Sequence, residues 1–395
     1  MTSPSTSLST STAVPQQHRL LLLLAVLFIA YLCVGMALGS VAPFVTARLG
    51  LGNAWAGLGV GVAFLATVAT RAHAGSLSDH RGPKPAVARG LVCCMAGAAT
   101  ALVAGLPLPS TGLAYAALLA GRLLLGVGES FVTVGVIGWA IGMAGPARSG
   151  MVLARVGAAI YGALALGGPI GLFLFESGGF ALATAAGALL PGLALLAIRR
   201  TAGIVPQAAA ERPPFAQVLA RIGPHGAIVC LQGIGFAAIG AFFVLHFRAQ
   251  GWPHAGLGLT AFGSGFVLVR LACGRLPDRF GGLPVAIGSL AIEALGQLLI
   301  WQAAGPASAL AGAFLTGLGC SMVFPAMGRE VVQRVPPHLR GTALGAFSAF
   351  QDVAYGLTGP LAGLLADRAG PAGVFLAGAG AAAAGLLVAL RLLRR

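Results

Sequence analysis

Long apolar segments separated by short polar ones make up most of the chain. Each is close to the roughly 20 residues with which a helix crosses the hydrocarbon core of a bilayer. A helix also satisfies its own backbone hydrogen bonds, as a segment in lipid must. The pattern therefore predicts an all-α polytopic membrane protein with twelve transmembrane helices. The predicted spans are 20–45, 54–74, 86–106, 112–143, 150–175, 178–198, 224–247, 255–274, 283–304, 307–333, 341–366 and 370–391.

The composition supports the same class. Apolar residues are 57% of the 395 positions and charged residues only 8%, against roughly 25% charged in a soluble domain. So few charges would leave the surface of a soluble protein uncovered, whereas a surface facing lipid needs none. The 61 glycines lie mostly within apolar runs, which is typical of closely packed membrane helices.

The polar segments divide the chain into four parts. Residues 1–18 are rich in Ser and Thr, and we expect them to be disordered and cytoplasmic. Residues 19–198 and 224–395 each hold six spans, and the basic, proline-containing stretch 199–223 between them is a predicted cytoplasmic linker. The first apolar run continues without a convincing cleavage site, so we interpret it as a retained span.

Basic residues are distributed unevenly between the two ends of the spans. The net charge is +15, and most of the basic residues fall on the side of the chain termini. The loops of the opposite side hold only Arg48, Arg248 and Arg368. By the positive-inside rule both termini are cytoplasmic, in a bacterial cytoplasmic membrane. The basicity is thus a topology signal, and no nucleic-acid partner is expected.

The two six-span halves contain related motifs. The segment 75–82 after span 2 matches 274–281 after span 8 at an offset of 199 positions, and 150–169 in span 5 matches 341–360 in span 11 at an offset of 191. Parallel repeats of this kind are a transporter architecture, with the substrate site at their interface near the middle of the membrane.

These segments resemble those of a known family. Residues 75–84 resemble the signature loop of the major facilitator superfamily, and 274–282 its degenerate second copy. Span 4 resembles the second family motif, and span 5 resembles the motif of the drug:proton antiporters, with Leu164 in place of a glycine. Within the superfamily the chain is most similar to bacterial arabinose-efflux-type permeases.

The resemblance implies that the signature loops hold the two halves closed on the cytoplasmic side, with Asp79 facing the start of span 11. Alternatively, the residues of these loops are solvated turn residues that only set the membrane topology. The residues of this predicted gating motif are Gly75, Asp79, Arg81, Gly82, Lys84, Asp278 and Arg279.

Two charges in span 4 are the most informative candidates. Arg122 and Glu129 lie seven residues apart and so share one helix face, about 10 Å apart along the axis. An ionised side chain inside a span requires a cavity or a partner. We interpret them as one wall of a polar cavity in which Glu129 binds the coupling proton. The alternative is a structural partnership of Glu129 with another helix, through Arg155.

Further polar residues within apolar spans are candidates for the same cavity. Asp352 in span 11 occupies the repeat position of Tyr161 in span 5. Glu293 in span 9 has a weaker case. Arg270 is a charge partner or a substrate contact, or else a basic residue whose side chain extends to the membrane interface. Tyr31, Gln232 and His246 are further possible polar contacts.

Two glycine–proline pairs lie at matching repeat positions, namely Gly168 with Pro169 and Gly359 with Pro360. Proline removes a helix hydrogen bond and glycine allows close approach, so the pairs predict helix kinks. Tight packing between helices is an equally good interpretation.

The sequence therefore predicts a secondary transporter that works by alternating access. We expect proton-coupled efflux of a small organic molecule. Proton-linked uptake of a sugar or organic acid, and a sensor that no longer transports, remain alternatives. No phosphate-binding loop or metal-ligand cluster is present, so no enzyme activity, cofactor or metal is expected. We expect the protein to act as a monomer in the bilayer, with its substrate and protons as partners.

Overall fold

The computed structural model describes residues 13–145, 148–204, 215–335 and 340–394, and for 13–16, 149–150, 215–221 and 340–342 it describes the backbone only. Helices account for nearly all of these residues, and one π-helical turn, Phe44–Arg48, extends the first. The helices are α1 Ala13–Pro43, α2 Asn53–Arg81, α3 Pro83–Ala104, α4 Thr111–Ala144, α5 Ser149–Arg199, α6 Phe215–Ala249, α7 Leu257–Cys273, α8 Leu276–Phe280, α9 Gly282–Trp301, α10 Pro306–Gln333 and α11 Arg340–Leu393.

The described helices provide twelve candidate membrane crossings. Nine are long and apolar enough to span a bilayer, and α7 is a shorter apolar helix. Helices α5 and α11 each turn back at one glycine, Gly179 and Gly370, both with φ 74°. Such angles are open to glycine at little cost, so each of these helices divides into two crossings. The predicted all-α polytopic membrane fold is confirmed.

Two helices begin earlier than the predicted spans. Helix α1 begins at Ala13, within the segment expected to be disordered, and α6 begins at Phe215, within the predicted linker. The residues before each start, 1–12 and 205–214, lie outside the described part of the chain. The apolar pattern marks the membrane crossing, whereas a helix can continue beyond it into water.

The helices pack mainly within each half of the chain. In the first half α1 packs on α5 and α3 packs on α4; in the second half α6 packs on α11 and α9 packs on α10. The most extensive contacts between the halves are those of α2 with α11 and of α5 with α7, and α6 also touches α1 and α2. The predicted boundaries of the two six-helix bundles remain a prediction.

The sequence repeat is reproduced in the backbone. Gly82 ends α2 with φ 90° and ψ 160°, and Gly281 ends α8 with the same pair of angles. The two glycines stand 199 positions apart. Both angles lie where glycine is favoured, so the two signature loops turn the chain in the same way.

One side of the molecule is tightly packed across the halves. The side that carries Arg81, Arg275 and Arg279 is called the basic side, and the tightly packed side is called the opposite side. On the opposite side a Cβ on Gly57 would overlap the Gly359 carbonyl oxygen. On the same side the Asp367 carboxylate of α11 accepts two hydrogen bonds from the start of α2. The donors are the backbone N–H groups of Asn53, at 2.9 Å, and Ala54, at 3.1 Å.

On the basic side the same helices have more room. A Cβ on Gly75 of α2 or on Gly345 of α11 would meet no atom within 4 Å. The start of α5 is exposed at Leu153, Ala154 and Arg155. Among the described residues, the contacts between halves are therefore concentrated toward the opposite side.

Candidate functional site

An ion pair joins the two halves of the chain at the level where the tight packing ends. Arg71 of α2 donates a hydrogen bond from Nη2 to Oδ2 of Asp352 in α11. The side chains are 22% and 10% exposed, so both are largely withdrawn from solvent. Because α2 and α11 belong to different halves, the pair bridges the interface at which repeat transporters bind substrate.

Glu129 lies close to this ion pair. It is 4% exposed, and its Oε2 has no hydrogen-bond partner among the described residues. The Tyr31 hydroxyl is 3.1 Å from the Thr133 hydroxyl and also interacts with the Glu129 carboxylate. Thr67, one turn before Arg71 on α2, donates at 3.0 Å to the carbonyl of Gly126, about one turn before Glu129 on α4, so Arg71 and Glu129 lie at the same level. The charged cluster thus consists of Glu129, Tyr31, Thr133, Arg71 and Asp352.

Arg122 has a different environment from the one expected. Its Nε donates to the Gly59 carbonyl at 3.0 Å and its Nη2 to the Val60 carbonyl at 2.8 Å, both on α2. It lines a cavity of about 40 Å³ inside the first half, and Glu129 is not among the residues lining that cavity. The two charges still interact through the interior, but Arg122 anchors α4 to α2 rather than sharing a wall with Glu129.

Arg155 does not partner Glu129. Its side chain is exposed, whereas that of Glu129 is buried. The alternative that Glu129 is a structural partner of Arg155 in span 5 is therefore wrong. The neighbours of Glu129 are instead Tyr31 and the Arg71–Asp352 pair.

An aromatic group lies beside the charged cluster and also bridges the halves. The Tyr161 ring stacks on Phe266 with centroids 3.5 Å apart, and its hydroxyl is 3.3 Å from that of Tyr355. Arg270 lies over Phe266 at 5.2 Å, and its Nε is buried with no acceptor. The remaining members of this aromatic group are Phe64, Phe236 and Phe262.

Glu293 lies inside the second half. It is fully buried, both of its oxygens lack a hydrogen-bond donor among the described residues, and it interacts with the Cys320 thiol. Gln297 on the same helix donates to the Gly235 carbonyl at 3.2 Å. His246 packs against Trp252 and Phe375. These residues are core groups rather than members of the charged cluster.

The predicted gating motif lies at the ends of α2 and α8. Lys84 donates to the backbone carbonyls of Arg199 and Thr201 at 2.9 and 2.8 Å, which ties the loop to the end of span 6. Asp278 is 3.9 Å from Arg329 and mostly exposed. The contact expected between Asp79 and the start of span 11 stays a prediction, because the side chains of 340–342 are not described.

The glycine–proline pairs lie at tight helix contacts. A Cβ on Gly168 would be 2.7 Å from Leu259 Cδ1, and one on Gly359 would overlap the Gly57 carbonyl oxygen. The non-helical backbone angles of α5 and α11 occur at Gly179 and Gly370 instead. The packing interpretation therefore has direct support at both pairs.

Comparisons with known proteins identify the family. A Salmonella typhimurium protein described as an uncharacterized MFS-type transporter is 43% identical over 94% of this chain and 95% of its own length. The chain belongs to the major facilitator superfamily. Residues 225–395 match the model of the Major Facilitator Superfamily, and an uncharacterized MFS-type transporter of Burkholderia mallei is 42% identical over 93% of this chain and 90% of its own length.

Two solved structures show the same fold. The nucleoside transporter NupG superimposes with a TM-score of 0.73 at 17% identity, over 95% of this chain and 99% of its own. The human organic anion transporter MFSD10 superimposes with a TM-score of 0.69 at 15% identity, over 95% and 99%. As a member of the major facilitator superfamily, the protein is a multi-pass secondary transporter of a small molecule rather than an enzyme.

The expected family is confirmed, and one central residue was missed. By its place in the sequence Arg71 belongs with the basic residues of the terminal side, which indicate topology, yet it forms the ion pair across the halves. The signal was present in the repeat: Arg71 precedes Arg270 by 199 positions, the offset of the two signature loops. In the described part of the chain no group of three or more potential metal ligands occurs.

Proposed function

We propose that the protein exports a small organic molecule in exchange for protons, by alternating access in the bacterial cytoplasmic membrane with both termini in the cytoplasm. The observation that carries this proposal is the cluster in which Glu129 of the first half lies close to the Arg71–Asp352 pair. On this reading the basic side is cytoplasmic and the conformation is closed toward the outside.

The cluster supports coupling because two carboxylates share one guanidinium. Arg71 interacts with Asp352 directly and with Glu129 through the interior. When Glu129 carries a proton, Arg71 is attracted to Asp352 alone and the pair between the halves is strongest. When Glu129 is ionised it competes for Arg71, which weakens that pair. Proton occupancy and the contact between halves are thereby linked.

The test is a proton-flux assay in everted membrane vesicles from an overproducing strain. Respiration acidifies the vesicle lumen, and a panel of toxic organic compounds is then added while the pH gradient is monitored. Efflux by antiport predicts partial loss of the pH gradient when a substrate is added, because the compound enters the vesicle lumen in exchange for protons that leave it. An uptake symporter predicts the reverse change, since protons would enter with the compound. A sensor predicts no response to any compound.

A matched pair of variants locates the proton site. Glu129→Gln is expected to abolish the substrate-induced proton movement while the protein remains folded, because an amide cannot exchange the proton. Glu176→Gln, an exposed acid that pairs with Arg248 at 3.0 Å, is the control and keeps the response. Unchanged coupling in Glu129→Gln would contradict the assignment of that residue.

A further inference from the structure

The positions of the ion pair between α2 and α11 have equivalents at a second interface, between α7 and α5, where one of the two residues differs. Arg270 of α7 follows Arg71 by 199 positions, and Tyr161 of α5 precedes Asp352 by 191 positions. These are the offsets of the signature loops and of the glycine–proline pairs. Arg71 pairs with Asp352, whereas Arg270 lies over the Phe266 ring on which the Tyr161 ring stacks. The carboxylate of the first interface is a phenol in the second.

The surrounding contacts show that the two interfaces are equivalent. Gly61 of α2 packs on the Gly356 carbonyl oxygen of α11. At the matching positions Thr260 of α7 donates its hydroxyl hydrogen bond to the Ala165 carbonyl of α5 at 2.7 Å. The helices thus cross in the same register, and the main difference in charge is the missing acid beside Arg270.

Arg270 lacks the partners that satisfy Arg122 and Arg71. Arg122 donates to two backbone carbonyls and Arg71 to Asp352. Arg270 has no ion pair and no hydrogen-bond acceptor among the described residues, and its Nε is buried. A guanidinium stays charged at any working pH, and leaving one unpaired in the membrane interior is costly. Such a residue is well suited to an anion that arrives from outside the protein.

The groups around Arg270 indicate what that anion is attached to. Its guanidinium lies over Phe266, the Tyr161 ring stacks on the same side chain, and Gly157 faces the guanidinium with no side chain of its own. Phe236 and Phe262 extend the same surface. Aromatic faces favour flat or apolar bodies, and the guanidinium fork matches a carboxylate in bidentate geometry.

We propose that Arg270 binds the carboxylate of the transported molecule, which is an organic acid with an aromatic or apolar body. The bound carboxylate occupies the place that Asp352 holds at the equivalent interface, so α5 and α7 gain the charge balance that α2 and α11 already have. The inference deepens the proposed function by naming its substrate class. The inference depends on the proposed function in one respect, namely that the interface between the halves is the transport site.

Thermal unfolding of the purified full chain in detergent tests binding without any proton gradient. The probe is benzoate, with benzyl alcohol and benzylamine as neutral and cationic analogues of similar size. Benzoate is expected to raise the melting temperature saturably, as a ligand of the folded state does, and the two analogues to leave it unchanged. No benzoate effect, an equal effect of benzyl alcohol, or the same shift with inorganic phosphate would each overturn the proposal.

Variants tie the effect to the residue. Arg270→Gln should weaken benzoate binding roughly tenfold or more, through loss of charge-assisted hydrogen bonds, and Arg270→Lys should retain part of it. Arg155→Gln removes an exposed arginine of α5 and should bind as the wild type does. Wild-type affinity in Arg270→Gln would contradict the assignment.

Tyr161→Asp is the sharpest variant because it restores the acid found at the equivalent interface. The new carboxylate should pair with Arg270, abolish the benzoate response and leave the melting temperature equal or higher. If this variant does not fold, the two Arg270 variants decide the question. The unfolding assay measures binding and no transport. If benzoate binds but the vesicle assay shows no proton coupling, antiport is refuted while the carboxylate site stands.

Discussion

Arg71 and Asp352 form an ion pair that joins the second and eleventh spans, and with them the two halves of the transporter. Its position, where the tight packing of the opposite side gives way to the looser basic side, makes it a contact that a change of conformation has to break or move. The charged cluster around it is where the two halves and the predicted proton site meet.

Removing one partner of this pair should destabilise the protein more than removing both. Breaking a buried pair costs about 3–5 kcal/mol because a charge is left unpaired, and the partial exposure of Arg71 reduces this to about 2 kcal/mol. Asp352→Asn and Arg71→Gln should each lower the melting temperature by a few degrees, and the double variant should recover most of the loss. Additive losses in this double-mutant cycle would show that the pair contributes no coupling.

The Asp367 contact should make stability depend on pH in acid. Asp367 lies beyond the predicted end of span 11, outside the membrane-spanning segments. Slight desolvation raises its pKa, but the hydrogen bonds from the Asn53 and Ala54 backbone N–H groups and the Asn53 side chain outweigh this and lower the pKa below its ordinary value. The contact is therefore at full strength above the unfolded pKa of about 3.9 and is lost as the pH falls through the folded value.

The measurement compares wild type with Asp367→Asn. The difference in melting temperature between them should be constant above about pH 5 and should shrink on further acidification, because the carboxylate then protonates. Glu176→Gln, at the repeat position of Asp367, serves as the reference for loss of an exposed acid. A difference that persists unchanged down to pH 3, about a unit below the ordinary pKa, would refute the role of the ionised carboxylate.

Gly57 should tolerate no side chain. A methyl group there would overlap the Gly359 carbonyl oxygen, and relieving this clash requires α2 and α11 to separate on the opposite side. Overpacking of this kind costs about 1–3 kcal/mol, so Gly57→Ala should lower the melting temperature. Gly288→Ala, where a Cβ meets no atom within 4 Å, is the control and should be neutral or slightly stabilising. Equal stability of both variants would mean that the helices are not in close contact there.

Glu293 and Glu129 should respond differently to neutralisation. Glu293 occupies the repeat position of Cys94, and Cys320 that of Glu129, so each half holds an acid and a thiol in exchanged positions. Glu293 lies inside the second half, against Gly235 of α6, and neither of its oxygens has a hydrogen-bond donor among the described residues. Glu293→Gln should keep proton coupling in the vesicle assay and leave the melting temperature unchanged or raised. Loss of coupling in this variant would move the proton site into the second half.

The sequence by itself determined the class, the number of crossings and the repeat. Hydropathy over about 20 residues predicts a membrane helix because lipid offers the backbone no other hydrogen-bond partner, and the paired signature loops indicate two related halves. It also singled out Glu129, Asp352 and Arg270, since a charge within an apolar run stands out whatever the fold.

Only the tertiary structure decided which of these charges meet. Arg122 and Glu129 share a helix face, yet Arg122 is held by carbonyls of α2 while Glu129 faces the pair formed by Arg71 and Asp352. Helical spacing gives the direction of a side chain but not the neighbour that it encounters. The partner of Arg71, and the lack of an acceptor for Arg270 among the described residues, depend on how helices from distant parts of the chain cross, which no local pattern records.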